Sequence, residues 1–162
     1  MSNTYITALT ESLEKKIEVL NKIHEKDEEQ LSIAKTEPFS FEAFDKNVEE
    51  KDVLIYKLVK LDEGFEIVYE NVKAELNANK DLYKEEIKKM QKLITDITAL
   101  STKIQAEEAR NKAAMEAAFR NEKQRLKSSR SSVKAVNSYA KAMRSGTGSN
   151  FSGISGIGND WN

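Results

Sequence analysis

The sequence YKEEIKKMQKLITDITALSTKIQAEEARNKAAMEAAFRNEKQRL, residues 83–126, decides the fold class. Mostly apolar or small residues recur every three or four positions in one register that continues to Met143, and no proline or glycine interrupts it. Such a seam is typical of a long helix packed against other helices. The seam positions are Tyr83, Ile87, Met90, Ile94, Ile97, Ser101, Ile104, Glu108, Asn111, Met115, Ala118, Glu122, Leu126, Ser129, Val133, Val136, Ala140 and Met143. The polar seam positions fall mostly in its second half. We therefore predict that the first half of the seam packs permanently and that the second half packs conditionally.

Two further amphipathic helices are predicted before this stretch. The first covers about residues 4–34 and ends before Pro38, which cannot continue a helix. The second covers about residues 40–77, with Ser40 as its N-cap and a hydrophobic staple between Phe39 and Phe44. A weak turn at residues 77–81 separates it from a third helix at about 82–127. Short connections make consecutive helices antiparallel. We therefore predict an all-α fold, an antiparallel bundle of three long helices with coiled-coil-like packing.

The third predicted helix is the longest and should overhang its neighbours from about Ala113 onward. The apolar residues of this overhang have no evident partner in the sequence. The domain prediction is a helical bundle over residues 1–127, a basic amphipathic extension over 128–144 and a flexible Gly/Ser-rich tail over 145–162.

The composition argues against several functional classes. The chain has no cysteine, its first residues lack the pattern of a signal peptide, and no apolar run is long enough to span a membrane. A cytoplasmic location is therefore expected. The only histidine, His24, is expected to be packed or half-buried, and no Glu-x-x-His pair, phosphate loop or nucleophile elbow is found. We expect no enzymatic activity, no catalytic residues, no cofactor and no metal.

Charge is distributed unevenly along the chain. Residues 1–80 carry 11 basic and 18 acidic residues, whereas residues 110–144 carry 10 basic and 2 acidic residues. This pattern fits a bundle whose helix faces neutralise one another, and it equally fits a basic arm that meets an acidic partner. Nucleic-acid binding is disfavoured, because no DNA-binding motif is present and aromatic residues are sparse in the basic region.

Three regions of the sequence, in order, resemble flagellar export chaperones of the FlgN/FliT kind in their Clostridia-like form. Residues 49–65, EEKDVLIYKLVKLDEGF, resemble the second helix of that family. The stretches MQKLITDITAL at 90–100 and IQAEEARNK at 104–112 resemble its last helix. The stretch SSVKAVNSY at 131–139 is similar to the basic, tyrosine-bearing segment near the family's C-terminus. The Gly/Ser tail is not part of the family pattern.

The resemblance implies a cytoplasmic chaperone that binds hook-associated flagellar subunits, prevents their premature assembly and delivers them to the type III export gate or its ATPase complex. By position it implies client-binding residues in the third helix and gate-docking residues beyond it. The implied client-binding residues are Asn111, Met115, Phe119 and Leu126, and the implied docking residues are Val133, Val136 and Tyr139. The basic side chains near the end of the third helix favour an acidic client face.

A second interpretation stays open from the sequence. The overhanging seam could pair with a second copy of the chain, which would make the protein a coiled-coil scaffold without a client. A chaperone predicts a chain that forms a heterodimer with its client, and a scaffold predicts a concentration-dependent homodimer.

Overall fold

A computed structural model describes residues 2–127, with side chains from Thr4 onward. Three helices account for nearly all of this part: α1 at Ser2–Lys35, α2 at Phe41–Ala78 and α3 at Lys84–Arg125. Helix α3, with 42 residues, is the longest of the three, and residues 2–127 contain no strand. The predicted all-α bundle of three long helices is confirmed. The extension at 128–144 and the tail at 145–162 lie outside the described residues.

The start of α2 forms as its sequence predicts. The hydroxyl oxygen of Ser40 accepts a hydrogen bond from the backbone N–H of Ala43 at 3.1 Å, which satisfies one of the free donors at the helix terminus. The rings of Phe39 and Phe44 lie 6.1 Å apart, so the predicted staple is confirmed. Helix α2 continues through Gly64 without interruption to Ala78.

The turn between α2 and α3 is held by backbone and side-chain bonds. The backbone N–H of Asn79 donates to the carbonyl of Glu75 at 3.0 Å, and that of Tyr83 donates to the carbonyl of Asn79 at 3.2 Å. The Tyr83 hydroxyl donates to the Glu75 carboxylate at 2.9 Å, although the ring itself is buried. These bonds close the connection where the Asn- and Asp-rich sequence predicts a turn.

Helix α1 lies closest to both other helices. Its backbone runs near those of α2 and α3, which approach each other much less. Residues far along α1 contact residues early in α2, as in the Lys26–Glu50 ion pair, so these two helices are antiparallel. The ion pair Glu14–Lys89 joins early parts of α1 and α3, and the ion pair Glu28–Arg110 joins later parts of both. These two helices are therefore parallel. The main core fills the space between all three helices, with Leu9, Leu20, Ile23, Leu58, Leu76, Met90, Ile97 and Ile104 as its most buried members.

A second apolar cluster closes the end of the bundle where α1 stops. The ring of Phe119 on α3 lies 5.7 Å from that of Phe39, 5.4 Å from that of Phe44 and 6.3 Å from that of Phe41. Met115 is completely buried in the same cluster. The expectation that the apolar residues after Ala113 lack partners is therefore wrong for these side chains. The reason is that the α1–α2 connection continues past α1 and covers this face of α3 with aromatic rings.

Candidate protein-interaction site

The side chains expected to bind a client lie together on α3, but most of them face inward. Asn111, Met115 and Phe119 are at most 3% exposed, and Leu126, one residue past the end of α3, is half-buried. In this conformation a client helix cannot touch Met115 or Phe119 unless the aromatic rings of the α1–α2 connection and of the start of α2 move away. Asn111 is covered by α1, to which it is hydrogen-bonded. The expected docking residues Val133, Val136 and Tyr139 lie outside the described residues.

Asn111 belongs to a polar layer that crosses the bundle. Its amide nitrogen donates to the backbone carbonyl of Asp27 at 2.7 Å and to the side-chain carbonyl of Gln30 at 3.2 Å. The amide of Gln30 donates in turn to Asn47 on α2 at 3.2 Å, and Asn47 donates to the backbone carbonyl of Lys26 at 2.9 Å. Because buried amides are costly unless they are bonded, this network favours one alignment of the three helices.

An ion cluster lies beside this polar layer. The ammonium nitrogen of Lys51 on α2 lies 2.9 Å from a carboxylate oxygen of Asp27 on α1 and 2.6 Å from one of Glu108 on α3. Burial raises the pKa of Asp27 to about 8, and a hydrogen bond with Glu108 adds to the increase, while the charge of Lys51 opposes it. Burial therefore favours the protonated form of the Asp27 carboxyl group in this cluster at neutral pH.

A third polar group joins α1 to α3 near the bundle surface. The Nδ1 atom of His24 lies 2.6 Å from Oε2 of Glu107, and Glu28 is one helical turn after His24. One ligand atom from each of these three residues lies within 4.8 Å of the others. Arg110 donates to the Glu28 carboxylate at 3.2 Å, and this hydrogen bond lowers the pKa of Glu28. His24 is half-buried, as the sequence predicts.

The outer face of α2 carries three well-exposed apolar side chains in one row. Val53 is 56% exposed, Tyr56 62% and Ile67 66%. Together with Lys60 and Glu63 they occupy positions i, i+3, i+7, i+10 and i+14, so they form one strip about 21 Å long at 1.5 Å per residue. We call Val53, Tyr56 and Ile67 the α2 strip. An amphipathic partner helix can lay its apolar side along such a row.

Two further features describe the surface around the α2 strip. The ammonium group of Lys60 lies 5.4 Å from the centre of the Tyr56 ring, so the ring has a cation on its face. Gly64 lies beside the strip, and a Cβ atom added there would meet nothing within 4 Å. The backbone at Gly64 is therefore open to close approach by another helix.

The α2 strip is not among the sites predicted from the sequence. The amphipathic pattern of α2 predicts one core-facing stripe, and Val53, Tyr56 and Ile67 have no role in it. A signal was available, because these residues have heptad spacing among themselves and lie on the opposite side from the core residues Leu54, Leu58 and Phe65. A helix with two apolar stripes has more apolar surface than one core can cover.

Comparison with protein-family models, with curated proteins and with solved structures gives no match for this chain. Among the described residues, no helix has the length and apolar character needed to cross a membrane.

Proposed function

We propose that this protein is a cytoplasmic export chaperone that binds hook-associated flagellar subunits and delivers them to the type III export gate or its ATPase complex. The observation that carries the proposal is the α2 strip. Val53 and Tyr56 fall within the stretch 49–65 that resembles the chaperone family, and their side chains are available without any rearrangement of the bundle.

The proposed mechanism is the docking of one helix on another. An amphipathic helix from the C-terminal region of a subunit lays its apolar side along the α2 strip and covers Val53, Tyr56 and Ile67. The subunit's assembly surface is thereby removed from water, so it cannot pair with other subunits. The charged positions Lys60 and Glu63 interrupt the strip, which keeps the empty surface soluble and limits the affinity, so the client can be released.

The residues implied by the family resemblance are assigned to further client contacts and to docking at the gate. Leu126 and the exposed basic side chains near it, Arg120, Arg125 and Lys127, would contact an acidic part of the same client. Met115 and Phe119 would contact it only if client side chains replaced Phe39 and Phe41 in the end cluster, and Asn111 would be freed only by a deeper opening. Docking to the gate is assigned to Val133, Val136 and Tyr139.

Co-purification from a flagellated source tests the proposal. The full-length chain should retain hook-associated subunits, and a chain that ends at Lys127 should retain them too, because it keeps every described helix. The shorter chain should lose contact with the export gate. If neither chain retains a subunit under conditions in which both are folded, the chaperone proposal is wrong.

The alternative function is a coiled-coil scaffold, and the heptad spacing of the α2 strip favours it as well. In that case two copies of the chain pair through their α2 strips. Light scattering coupled to size exclusion separates the two functions, because a scaffold becomes dimeric as its concentration rises without any client, whereas the proposed chaperone stays monomeric until a client is added.

A further inference from the structure

We propose that His24, Glu28 and Glu107 form a binding site for a divalent transition-metal ion of the zinc type, which joins α1 to α3. From the sequence no metal is expected, because the chain has no Glu-x-x-His pair. The structure instead brings together one histidine and one glutamate from a single turn of α1 with a glutamate from α3. The three donors converge although Glu107 is about 80 residues from the other two in the sequence.

The contact between His24 and Glu107 needs a hydrogen atom or a metal ion between its two atoms. An imidazole nitrogen and a carboxylate oxygen both carry lone pairs, which repel at the observed 2.6 Å unless a proton or a metal ion lies between them. A metal and a proton therefore compete for the same place. With metal–ligand bonds of about 2.0–2.2 Å, the two atoms would separate to roughly 3 Å, a shift that side-chain torsions can supply.

Glu107 provides the independent observation that points to a ligand. It is only 7% exposed, and among the described residues its second oxygen, Oε1, is buried without a hydrogen-bond donor. A buried carboxylate oxygen without a donor is costly. A metal ion bound at this carboxylate would supply the missing positive charge, and bidentate coordination would use both oxygens.

The remaining ligands fit the same chemistry. His24 is half-buried and Glu28 is exposed, so an ion can enter from the solvent side, and water can complete the coordination shell. Glu28 now accepts a hydrogen bond from Arg110 at 3.2 Å, and on metal binding it would turn from Arg110 toward the ion. One imidazole and two carboxylates suit zinc, and the order of affinities for divalent metals also favours it over manganese.

Titration with zinc tests the site in the full-length chain. The protein is prepared without a polyhistidine tag and freed of metal with a chelator, and zinc chloride is then added in a calorimeter. Because His24 is the only histidine and the chain has no cysteine, imidazole coordination can occur at one place alone. We expect one zinc ion per chain, displacement of the single set of histidine ring signals in the NMR spectrum, and a higher melting temperature.

Three variants decide whether the named residues bind the ion. Glu107→Gln and His24→Gln should each weaken zinc binding at least tenfold, and Glu28→Gln should weaken it less, because Glu28 is exposed. Because Glu28 is on the surface, Glu28→Gln is expected to fold. It can therefore be measured even if Glu107→Gln or His24→Gln does not fold. The matched control is Glu14→Gln, which removes a carboxylate that also joins α1 to α3, through Lys89, and it should bind zinc as the wild type does.

Two results would overturn the proposal. One is the absence of zinc binding to the wild-type chain at 0.1 mM zinc, on the order of a hundred times a micromolar Kd. The other is zinc binding that leaves the His24 ring signals unchanged or that is equally strong in Glu107→Gln, which would assign the ion to surface carboxylates elsewhere.

Discussion

The ammonium nitrogen of Lys51 on α2 lies 2.6 Å from the carboxylate of Glu108 on α3, inside the bundle. The backbones of α2 and α3 approach each other much less than either approaches that of α1. The Lys51–Glu108 ion pair is therefore one of the contacts that connect α2 and α3 directly. Lys51 also reaches Asp27 on α1, and all three residues are buried. One charged side chain therefore links all three helices at a single level of the bundle.

Removal of the Lys51 charge should destabilise the bundle strongly. Lys51→Met keeps the length of the side chain but leaves Glu108 as a buried carboxylate without its cation, and such losses cost about 3–5 kcal/mol of unfolding free energy. The measurement is urea denaturation followed by circular dichroism. Lys60→Met is the matched control, because Lys60 lies on the exposed face of α2, and it should change stability by less than about 0.5 kcal/mol. Equal stability of the two variants would contradict the burial of this charge cluster.

Asp27 should make the stability of the chelator-treated protein depend on pH. Its pKa is about 8 in the folded state, above the value of about 3.9 for an unfolded aspartate. The folded state therefore keeps a proton that the unfolded state has lost between these values. The stabilising contribution of Asp27 is fully present below about pH 4 and is lost as pH rises through about 8.

The variant Asp27→Asn isolates this contribution, because the amide has nearly the same shape and cannot ionise. Urea denaturation of both proteins at pH 5.5 and pH 8.5 gives the comparison. The stability of wild type relative to Asp27→Asn should fall between these pH values by on the order of a few kcal/mol. A difference that stays constant with pH would show that Asp27 is already ionised at pH 5.5.

Phe119 should matter for folding, because three aromatic rings surround it. Phe119→Ala removes a side chain that is 97% buried and leaves a cavity among Phe39, Phe41 and Phe44, so the unfolding free energy should fall by about 3–5 kcal/mol. Leu126→Ala, which truncates a half-buried residue just after α3, should cost less than half as much. If both variants are as stable as the wild type, the end cluster does not form in solution.

Gly64→Ala should stabilise the protein. Gly64 is in the interior of α2, where alanine is favoured by roughly 1 kcal/mol, and the added methyl group meets open space. Thermal unfolding should show a higher melting temperature. A lower melting temperature would mean that another part of the protein already occupies the outer face of α2 near the strip.

The sequence predicted the helices well because helical periodicity is a local property. The seam on α3 placed Glu108 and Asn111 in line with Ile104 and Met115, and the four side chains are indeed buried together along one face. Periodicity does not reveal which buried polar residues meet across helices. The partners of Lys51 and of Glu107 depend on the axial alignment of three helices, which no single stretch of sequence contains.

The end of the bundle was predicted less well for a related reason. The overhang of α3 was predicted from helix lengths, which do not include the space that the connections fill. The α1–α2 connection packs the ring of Phe39 against Phe119. The α2 strip was not predicted because α2 has two apolar stripes and only the core-facing stripe was expected. Tyr56 and Ile67 belong to the other, exposed stripe. Whether a second stripe is covered can be seen only once the helices are assembled.

The central claim is that the α2 strip holds the client, and an affinity measurement tests it most directly. The full-length chain is titrated against a labelled C-terminal helical segment of a hook-associated subunit, as wild type, as Tyr56→Ala/Ile67→Ala and as the control Tyr5→Ala, which truncates an exposed aromatic residue on α1. Loss of two apolar anchors should raise the Kd at least tenfold in the double variant, whereas the control should bind as wild type does. If the double variant binds as tightly as wild type, the client does not use the α2 strip and the account is wrong.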